Sequence, residues 1–158
     1  MVTKIQTSSG NTGYRCQFAR AGRFLDRIEK PNLQQANEVE FQDMTWAFFQ
    51  NCWHIKDWMS NDPVVPEPTK LAVIKDAHES PVLKLCQELC NGTKHLGERS
   101  GEAKHLFTAM TLDREKGVLE MDCSYEEGGS GAVGSAKELA RRCLEEWRRI
   151  LKSHCLPA

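Results

Sequence analysis

The chain has 158 residues, 40% of them hydrophobic, which is enough for one domain with a sizeable core. Its 21 basic and 22 acidic residues give a net charge of −1, so no global field draws it to nucleic acid or to an anionic membrane, and such binding has to be local. The sequence has no signal-peptide pattern and no apolar run near the roughly 18 residues of a membrane span. We therefore expect a cytoplasmic protein with no membrane partner.

The first thirteen residues are rich in Thr, Ser, Gly and Asn. This composition predicts a disordered arm at 1–13, ahead of a single domain at 14–158. From Tyr14 to Pro31, apolar residues recur every three or four positions, which predicts a first amphipathic helix. The outer face of this helix is rich in arginine: Arg20, Arg23 and Arg27.

The strongest helical pattern spans about 38–61, with Asn37 as its N-cap. Two apolar stripes along this helix predict neighbours on both sides, as for the central helix of a bundle. After a proline-rich connection we predict a short helix that begins with Thr69 as its cap. A further helix over 81–96 then begins with Pro81 at its first position.

The apolar pattern changes to alternation over about 104–125, which predicts one β-hairpin. Its apolar face carries Leu119 and Met121, and an isolated hairpin is only marginally stable in water. We expect the hairpin to lie on the helical body or to pair with a second copy of the chain, and a two-fold homodimer is the predicted assembly.

A Gly- and Ser-rich stretch at 126–135 is predicted to be a flexible linker, followed by a last helix over about 135–154. Within the linker, the spacing of Gly129, Gly131 and Gly134 matches a dinucleotide-binding pattern. That interpretation fails on context, because no second parallel strand follows the last helix.

These elements predict a mainly α fold, an up-and-down helical bundle with one β-hairpin. We expect about half of the residues in helix. The predicted core joins four large side chains from three helices: Phe48, Trp53, Leu89 and Trp147. The seven cysteines are an odd number in mostly helical, apolar surroundings, so we interpret them as reduced core thiols.

Two polar clusters are candidates for chemistry. His54 and Asp57 lie three apart on the long helix, where the carboxylate can fix the imidazole tautomer and Trp58 can shield the pair. The alternative is a buried His–Asp hydrogen bond that only fixes the helix register.

The second cluster lies near the end of the helix over 81–96. Asn91 and His95 are four apart and share one helix face. Cys86, Cys90 and His95 could also form a metal site with His54. However, structural zinc usually takes closely spaced cysteine pairs at turns, so we predict buried thiols and no metal.

The motifs His54-x-x-Asp57-Trp58 and Asn91-Gly92-x-Lys94-His95 resemble those of small uncharacterised bacterial proteins, in matching order over most of the chain. These proteins in turn resemble the HEPN superfamily of helical bundles, which often dimerise and whose active members cleave RNA with an Arg-Asn-x-x-x-His motif. Asn91 and His95 match that motif, whereas Cys90 occupies the arginine position.

The resemblance implies an HEPN-like bundle that binds RNA or a nucleotide without a cofactor. If the protein is catalytic, the resemblance implies a degenerate, metal-independent RNase. The predicted catalytic residues are His95, Asn91 and Lys94, where histidine is the base and lysine supplies the cation in place of arginine. The predicted binding residues are His54, Asp57 and Trp58, and we expect both clusters to form one shared site. The alternative function is a non-catalytic protein–protein interaction or antitoxin-like module.

Overall fold

The computed structural model describes residues 13–35, 37–94, 106–113, 115–116, 118–127 and 130–158, and side chains in these ranges except at 92–94, 106–110, 112, 124–127 and 130–133. The arm predicted at 1–13 lies outside this part apart from Gly13. The helices are α1 Tyr14–Glu29, α2 Glu38–Trp53, α3 Ile55–Ser60, α4 Glu67–Glu79, α5 Pro81–Lys94 and α6 Ala136–Ser153. The strands are β1 Leu106–Asp113, β2 Val118–Glu127 and β3 Ser130–Ser135.

Four of the helices form a bundle with a closed cross-section. α1 packs against α2 and α6, and α5 packs against the same two helices from the other side. The short helices α3 and α4 pack on each other and bridge α1 to α5. Described helices account for just over half of the chain, and the prediction of a mainly helical bundle is confirmed.

One hydrophobic core runs through the bundle. Phe48 and Trp53 of α2, Leu89 of α5 and Trp147 of α6 all belong to it, as predicted. Because each of these helices is apolar on the face that meets its neighbours, burial of those faces drives the packing.

Most helix starts follow the signals in the sequence. The side chain of Asn37 accepts a hydrogen bond from the backbone N–H of Glu40 at 2.8 Å, which caps α2. The Ser80 hydroxyl accepts one from Leu83 at the start of α5. The prediction that Thr69 caps the next helix was wrong, because α4 already begins at Glu67.

The long helix predicted over 38–61 is divided at His54 into α2 and α3. His54 keeps right-handed helical dihedral angles, with φ −70° and ψ −5°, and its N–H still bonds to the carbonyl of Gln50 at 3.0 Å. The His54 carbonyl accepts hydrogen bonds from both Asp57 and Trp58. This local tightening divides the helix without interrupting the chain of backbone hydrogen bonds.

The predicted hairpin is present as the antiparallel pair β1 and β2, with Leu112 opposite Leu119 beside the turn. The linker predicted at 126–135 was wrong for residues 126–127, which end β2, and for residues 130–135, which form β3. This strand pairs antiparallel with β2 and gives the described sheet the order β1-β2-β3. Because β3 is antiparallel to β2, the glycine spacing around it does not belong to a nucleotide-binding turn.

Alternate residues of β2 face the bundle core. Leu119, Met121 and Cys123 are buried, and β2 contacts α6. The apolar face on which the homodimer was argued is thus covered within one chain, so that argument was wrong. The homodimer itself stays a prediction, which light scattering at micromolar concentration would check. In the described part of the chain, no helix is long and apolar enough to cross a bilayer.

Candidate functional site

The cluster His54, Asp57 and Trp58 lies where α2 meets α3. His54 is half-buried, whereas the Asp57 side chain is 51% exposed and pairs with Lys56. An exposed carboxylate beside a lysine is screened by water. The alternative prediction of a buried His–Asp pair that fixes the helix register therefore does not describe Asp57.

Trp58 is half-buried and lies under an arginine from the first helix. The guanidinium carbon of Arg20 is 5.4 Å from the centroid of the Trp58 ring, within the range of a cation–π interaction. Arg20 was noted in the sequence only as part of an arginine-rich face. The structure brings it to the tryptophan that the sequence had already singled out.

The three predicted catalytic residues are only partly within the described structure. Asn91 is exposed in the last part of α5. Lys94 is the final residue of α5, and its side chain lies outside the described part. His95 lies outside the described residues altogether.

Two contacts place α4 and α5 beside α2. The rings of Trp53 and His78, the latter near the end of α4, meet at 5.2 Å between centroids. The thiol of Cys86 on α5 donates to the Phe49 carbonyl of α2 at 3.5 Å.

The shared site expected from the two clusters stays a prediction, because His95 and the side chain of Lys94 lie outside the described residues.

An open cleft of about 290 Å³ lies between α1 and α6. Arg15, Arg23 and Asp26 of α1 and Arg148 of α6 line it. We call Arg15, Arg23 and Arg148 the arginine cleft. All three of these arginines are exposed.

The arginines of the cleft differ from their neighbours on α6 in how they are paired. Arg149 forms two hydrogen bonds to Glu146, at 2.7 and 2.8 Å, and this pairing lowers the pKa of Glu146. Arg141 pairs with Glu29 and Glu138, and the hydrogen bond to Glu29 raises the pKa of Arg141.

Arg15 and Arg23 have no ion-pair or hydrogen-bond partner among the described residues. The guanidinium carbon of Arg148 lies 5.6 Å from the ring centroid of Phe18. Asp26 is the acidic side chain of the cleft lining, and Ala158 also lines it. Three arginine side chains therefore face one acidic side chain around an open volume, which is the electrostatic arrangement of an anion site.

Part of the cleft could be recognised from the amino-acid pattern of α1. The spacing of Arg20, Arg23 and Arg27 identified an arginine-rich face on α1. It could not show that Arg148, on the last helix, packs beside that face, because this is a tertiary contact between the two ends of the chain. Gly22 also lines the cleft, and the space beside its α-carbon is open.

The seven cysteines are free thiols, of which six are buried and Cys155 is exposed. Burial raises the pKa of both the Cys52 and the Cys86 thiols, so they stay protonated. Within the described residues, no group of three or more His, Cys, Asp and Glu side chains is placed to hold a metal ion.

The chain matches no protein-family model, no curated protein and no solved structure.

Proposed function

We propose that this protein is an RNA-binding helical-bundle protein whose arginine cleft holds backbone phosphates. One observation carries the proposal: Arg15, Arg23 and Arg148 converge on an open cleft, while Arg141 and Arg149 nearby are engaged by glutamates. A charged side chain without a protein partner has its donors available for a ligand.

The chemistry of arginine suits a phosphate ligand. The planar guanidinium presents donors in a fork that matches two phosphate oxygens, and it is less strongly hydrated than an ammonium group. Contacts of this kind fix a nucleic acid without reading its sequence. With a net charge of −1, attraction to a polyanion has to come from such a local cluster.

Two predictions from the sequence belong to the same proposal. The resemblance to HEPN bundles and a cytoplasmic location both suit a protein of this kind, and seven free thiols suit a reducing compartment. An acidic protein could also engage arginines, and this alternative function is one outcome of the test below.

Fluorescence anisotropy with a labelled single-stranded RNA at low salt tests the proposal. The Arg23→Gln/Arg148→Gln double variant removes two unpaired cleft arginines. The matched control Arg141→Gln/Arg149→Gln removes the same charge from arginines that are paired with glutamates. We expect at least a ten-fold weakening for the cleft variant and less than a two-fold change for the control.

The salt dependence adds an independent readout. Each lost phosphate contact lowers the slope of log affinity against log salt by about 0.7 for a single strand, so the cleft variant should lose about 1.4. Equal weakening in both double variants would contradict a phosphate site at the cleft. Binding of a polyglutamate peptide but not of RNA would favour the protein-partner alternative.

Catalysis is a separate part of the proposal, with its own assay. RNA of mixed sequence, incubated with EDTA, should be cleaved by the wild-type chain and not by His95→Ala, whose free energy of unfolding should change little. Intact RNA in the wild-type reaction would leave a binding protein without nuclease activity. A His95→Ala loss of about 2–5 kcal/mol, the range for a core truncation, would make His95 structural.

A further inference from the structure

A buried glutamine holds Arg20 in place. Gln17 on α1 is only 1% exposed. Its Nε2 donates to the backbone carbonyl of Asn51 at 2.9 Å and to the Asn51 side-chain oxygen at 3.0 Å. Its Oε1 accepts a hydrogen bond from Nη1 of Arg20 at 3.0 Å.

Asn51 is itself fixed, because its side-chain nitrogen donates to the carbonyl of Ala47 at 2.7 Å. The chain of contacts therefore runs from the α2 backbone through Asn51 and Gln17 to Arg20. At its far end the Arg20 guanidinium lies over Trp58, 5.4 Å from the ring centroid.

This arrangement fixes the side chain of Arg20, which would otherwise be mobile. Fixing an arginine costs rotamer entropy, and a buried amide must be fully hydrogen-bonded to be tolerated. Apart from the bond to Gln17, the N–H groups of Arg20 have no hydrogen-bond partner among the described residues. The Arg20 guanidinium is thus held over Trp58 with N–H groups available to a ligand.

We infer that Arg20 and Trp58 form a stacking position for an unpaired base, so that the ligand of the arginine cleft is single-stranded RNA. This inference rests on the function proposed above. Bases stack on tryptophan rings and on guanidinium planes. In a duplex the base faces are covered by neighbouring base pairs, so a paired strand cannot use the position.

The stacking position lies next to the arginine cleft along α1, although Arg20 and Trp58 do not line the cleft itself. Arg20 and Arg23 are three residues apart on α1, which puts their β-carbons about 5–6 Å apart. A strand with its phosphates at Arg23 and Arg148 can therefore place a base at Arg20. The carboxylate beside the stack, Asp57, is paired with Lys56, which reduces its repulsion of a phosphate.

The test compares two strands of equal length and charge, one normal and one with abasic sites at its central nucleotides. The measured quantity is the ratio of their dissociation constants. We expect the wild-type chain to prefer the normal strand about ten-fold, within the range for base stacking on an aromatic ring. Trp58→Leu should bring the ratio close to one, and Trp58→Phe should keep most of it.

Two conservative variants separate stacking from charge. Arg20→Lys keeps the positive charge but loses the planar group, so the ratio should fall while the salt slope stays near that of the wild type. Gln17→Leu removes the positioning residue, and the ratio should fall with Arg20 intact. Arg27→Lys is the matched control, since Arg27 lies over Phe24 on the same helix, and its ratio should stay unchanged.

The outcomes separate the two proposals. If the wild-type chain binds both strands equally and Arg23→Gln/Arg148→Gln weakens both, the phosphate site stands and the stacking position is wrong. If the wild-type chain binds neither strand, both proposals are wrong. A circular dichroism spectrum of each variant identifies misfolding. If Trp58→Leu is misfolded, the ratio measured for Arg20→Lys tests the stacking position instead.

Discussion

Asp62 is a buried carboxylate that organises the start of the first helix. Its side chain is 3% exposed, and its two oxygens accept the backbone N–H groups of Tyr14 at 3.1 Å and Val64 at 2.9 Å. The first N–H groups of a helix have no partner within the helix. Asp62 supplies one from a distant loop, and its negative charge also suits the positive end of the helix dipole.

Removal of this carboxylate should therefore be costly. We expect Asp62→Ala to lower the free energy of unfolding by about 1–3 kcal/mol, because buried N–H groups lose their acceptors. Asp62→Asn should lose less, since one oxygen remains. Urea denaturation measures both, and Asp43→Ala on the exposed side of α2 is the control, with a change within about 0.5 kcal/mol. A loss for Asp62→Ala no larger than that of the control would contradict this role.

Gly13 shows why the residue before α1 has no side chain. Its φ is +59°, and a β-carbon there would lie 1.7 Å from a carboxylate oxygen of Asp62. We expect Gly13→Ala to lower the free energy of unfolding by about 1–3 kcal/mol through backbone strain and displacement of Asp62. Thermal and urea denaturation should both show that Gly13→Ala is less stable than the wild-type chain.

Gly22 is the matched control, with the opposite expected sign. It lies inside α1, and a β-carbon there would meet nothing within 4 Å. Gly22→Ala should raise the free energy of unfolding by about 0.5–1 kcal/mol, because alanine restricts the unfolded chain and favours helix. If both variants destabilised equally, the special geometry of Gly13 would not be the cause.

At the scale of the helices, the burial of thiols predicts their reactivity. Six of the seven cysteines are buried, and Cys155, just after α6, is exposed. A thiol-specific reagent such as Ellman's reagent should therefore react quickly with one thiol in the native chain and with seven in denaturant. Cys155→Ser should abolish the fast reaction. Two or more fast thiols in the native wild-type chain would contradict the packing of α2, α5 and α6.

The same packing predicts how stability depends on pH. Burial raises the pKa of the thiols of Cys52 and Cys86 and raises that of Cys123 to about 11. A thiol pKa that is higher in the folded chain means that the thiol keeps its proton to a higher pH in the folded chain than in the unfolded chain. The stabilising contribution is therefore complete below the unfolded value of about 8.5 and is lost as pH rises from there towards 11.

We expect the urea concentration at the midpoint of unfolding to decrease as the pH rises from 7.5 to 10. The Cys52→Ala/Cys86→Ala variant starts from a lower midpoint, because it leaves small cavities, but it should lose less over the same interval. This comparison isolates the thiols from other groups that titrate at high pH. An equal pH-dependent loss in the variant and the wild-type chain would exclude them as the cause.

Elements with a clear period could be predicted from the sequence, and those without one could not. α1, α5 and α6 follow apolar repeats that end at proline or at polar residues, so their positions were predicted closely. β3 was mistaken for a linker because Ser130 to Ser135 contains only small residues apart from Val133, and such a segment shows no alternation. Its strand geometry comes from pairing with β2, a tertiary effect.

The candidate site shows the same limit. Trp58 and the arginines of α1 were noted in the sequence, but the contacts of Arg20 with Trp58 and of Arg148 with Phe18 join different helices. Helix periodicity predicts whether a side chain faces solvent or core, but not which residue it contacts. Whether His54 meets Asn91, as expected, depends on a helix register that the periodicity does not fix.

At the scale of the whole molecule, the described sheet and the bundle share one core. Leu119 of β2 is 1% exposed and belongs to the same cluster as Trp147. We expect one cooperative unfolding transition, with equal midpoints by circular dichroism at 222 nm and by tryptophan fluorescence.

Leu119→Ala should move both midpoints together, at a cost of about 2–5 kcal/mol. Thr111→Ala on β1 is the control on the exposed side of the sheet, with an expected loss below about 1 kcal/mol. A fluorescence midpoint that stayed in place while circular dichroism shifted would show that the sheet and the bundle unfold separately.

The contact between α1 and α6 also has a consequence for biosynthesis. The Tyr14 hydroxyl donates to the carbonyl of Pro157 at 2.8 Å, and α1 packs on α6. During translation α1 leaves the ribosome long before α6 is made, so the apolar face of α1 stays uncovered until α6 has been synthesised. The native core therefore closes only after residue 157 has emerged from the ribosome.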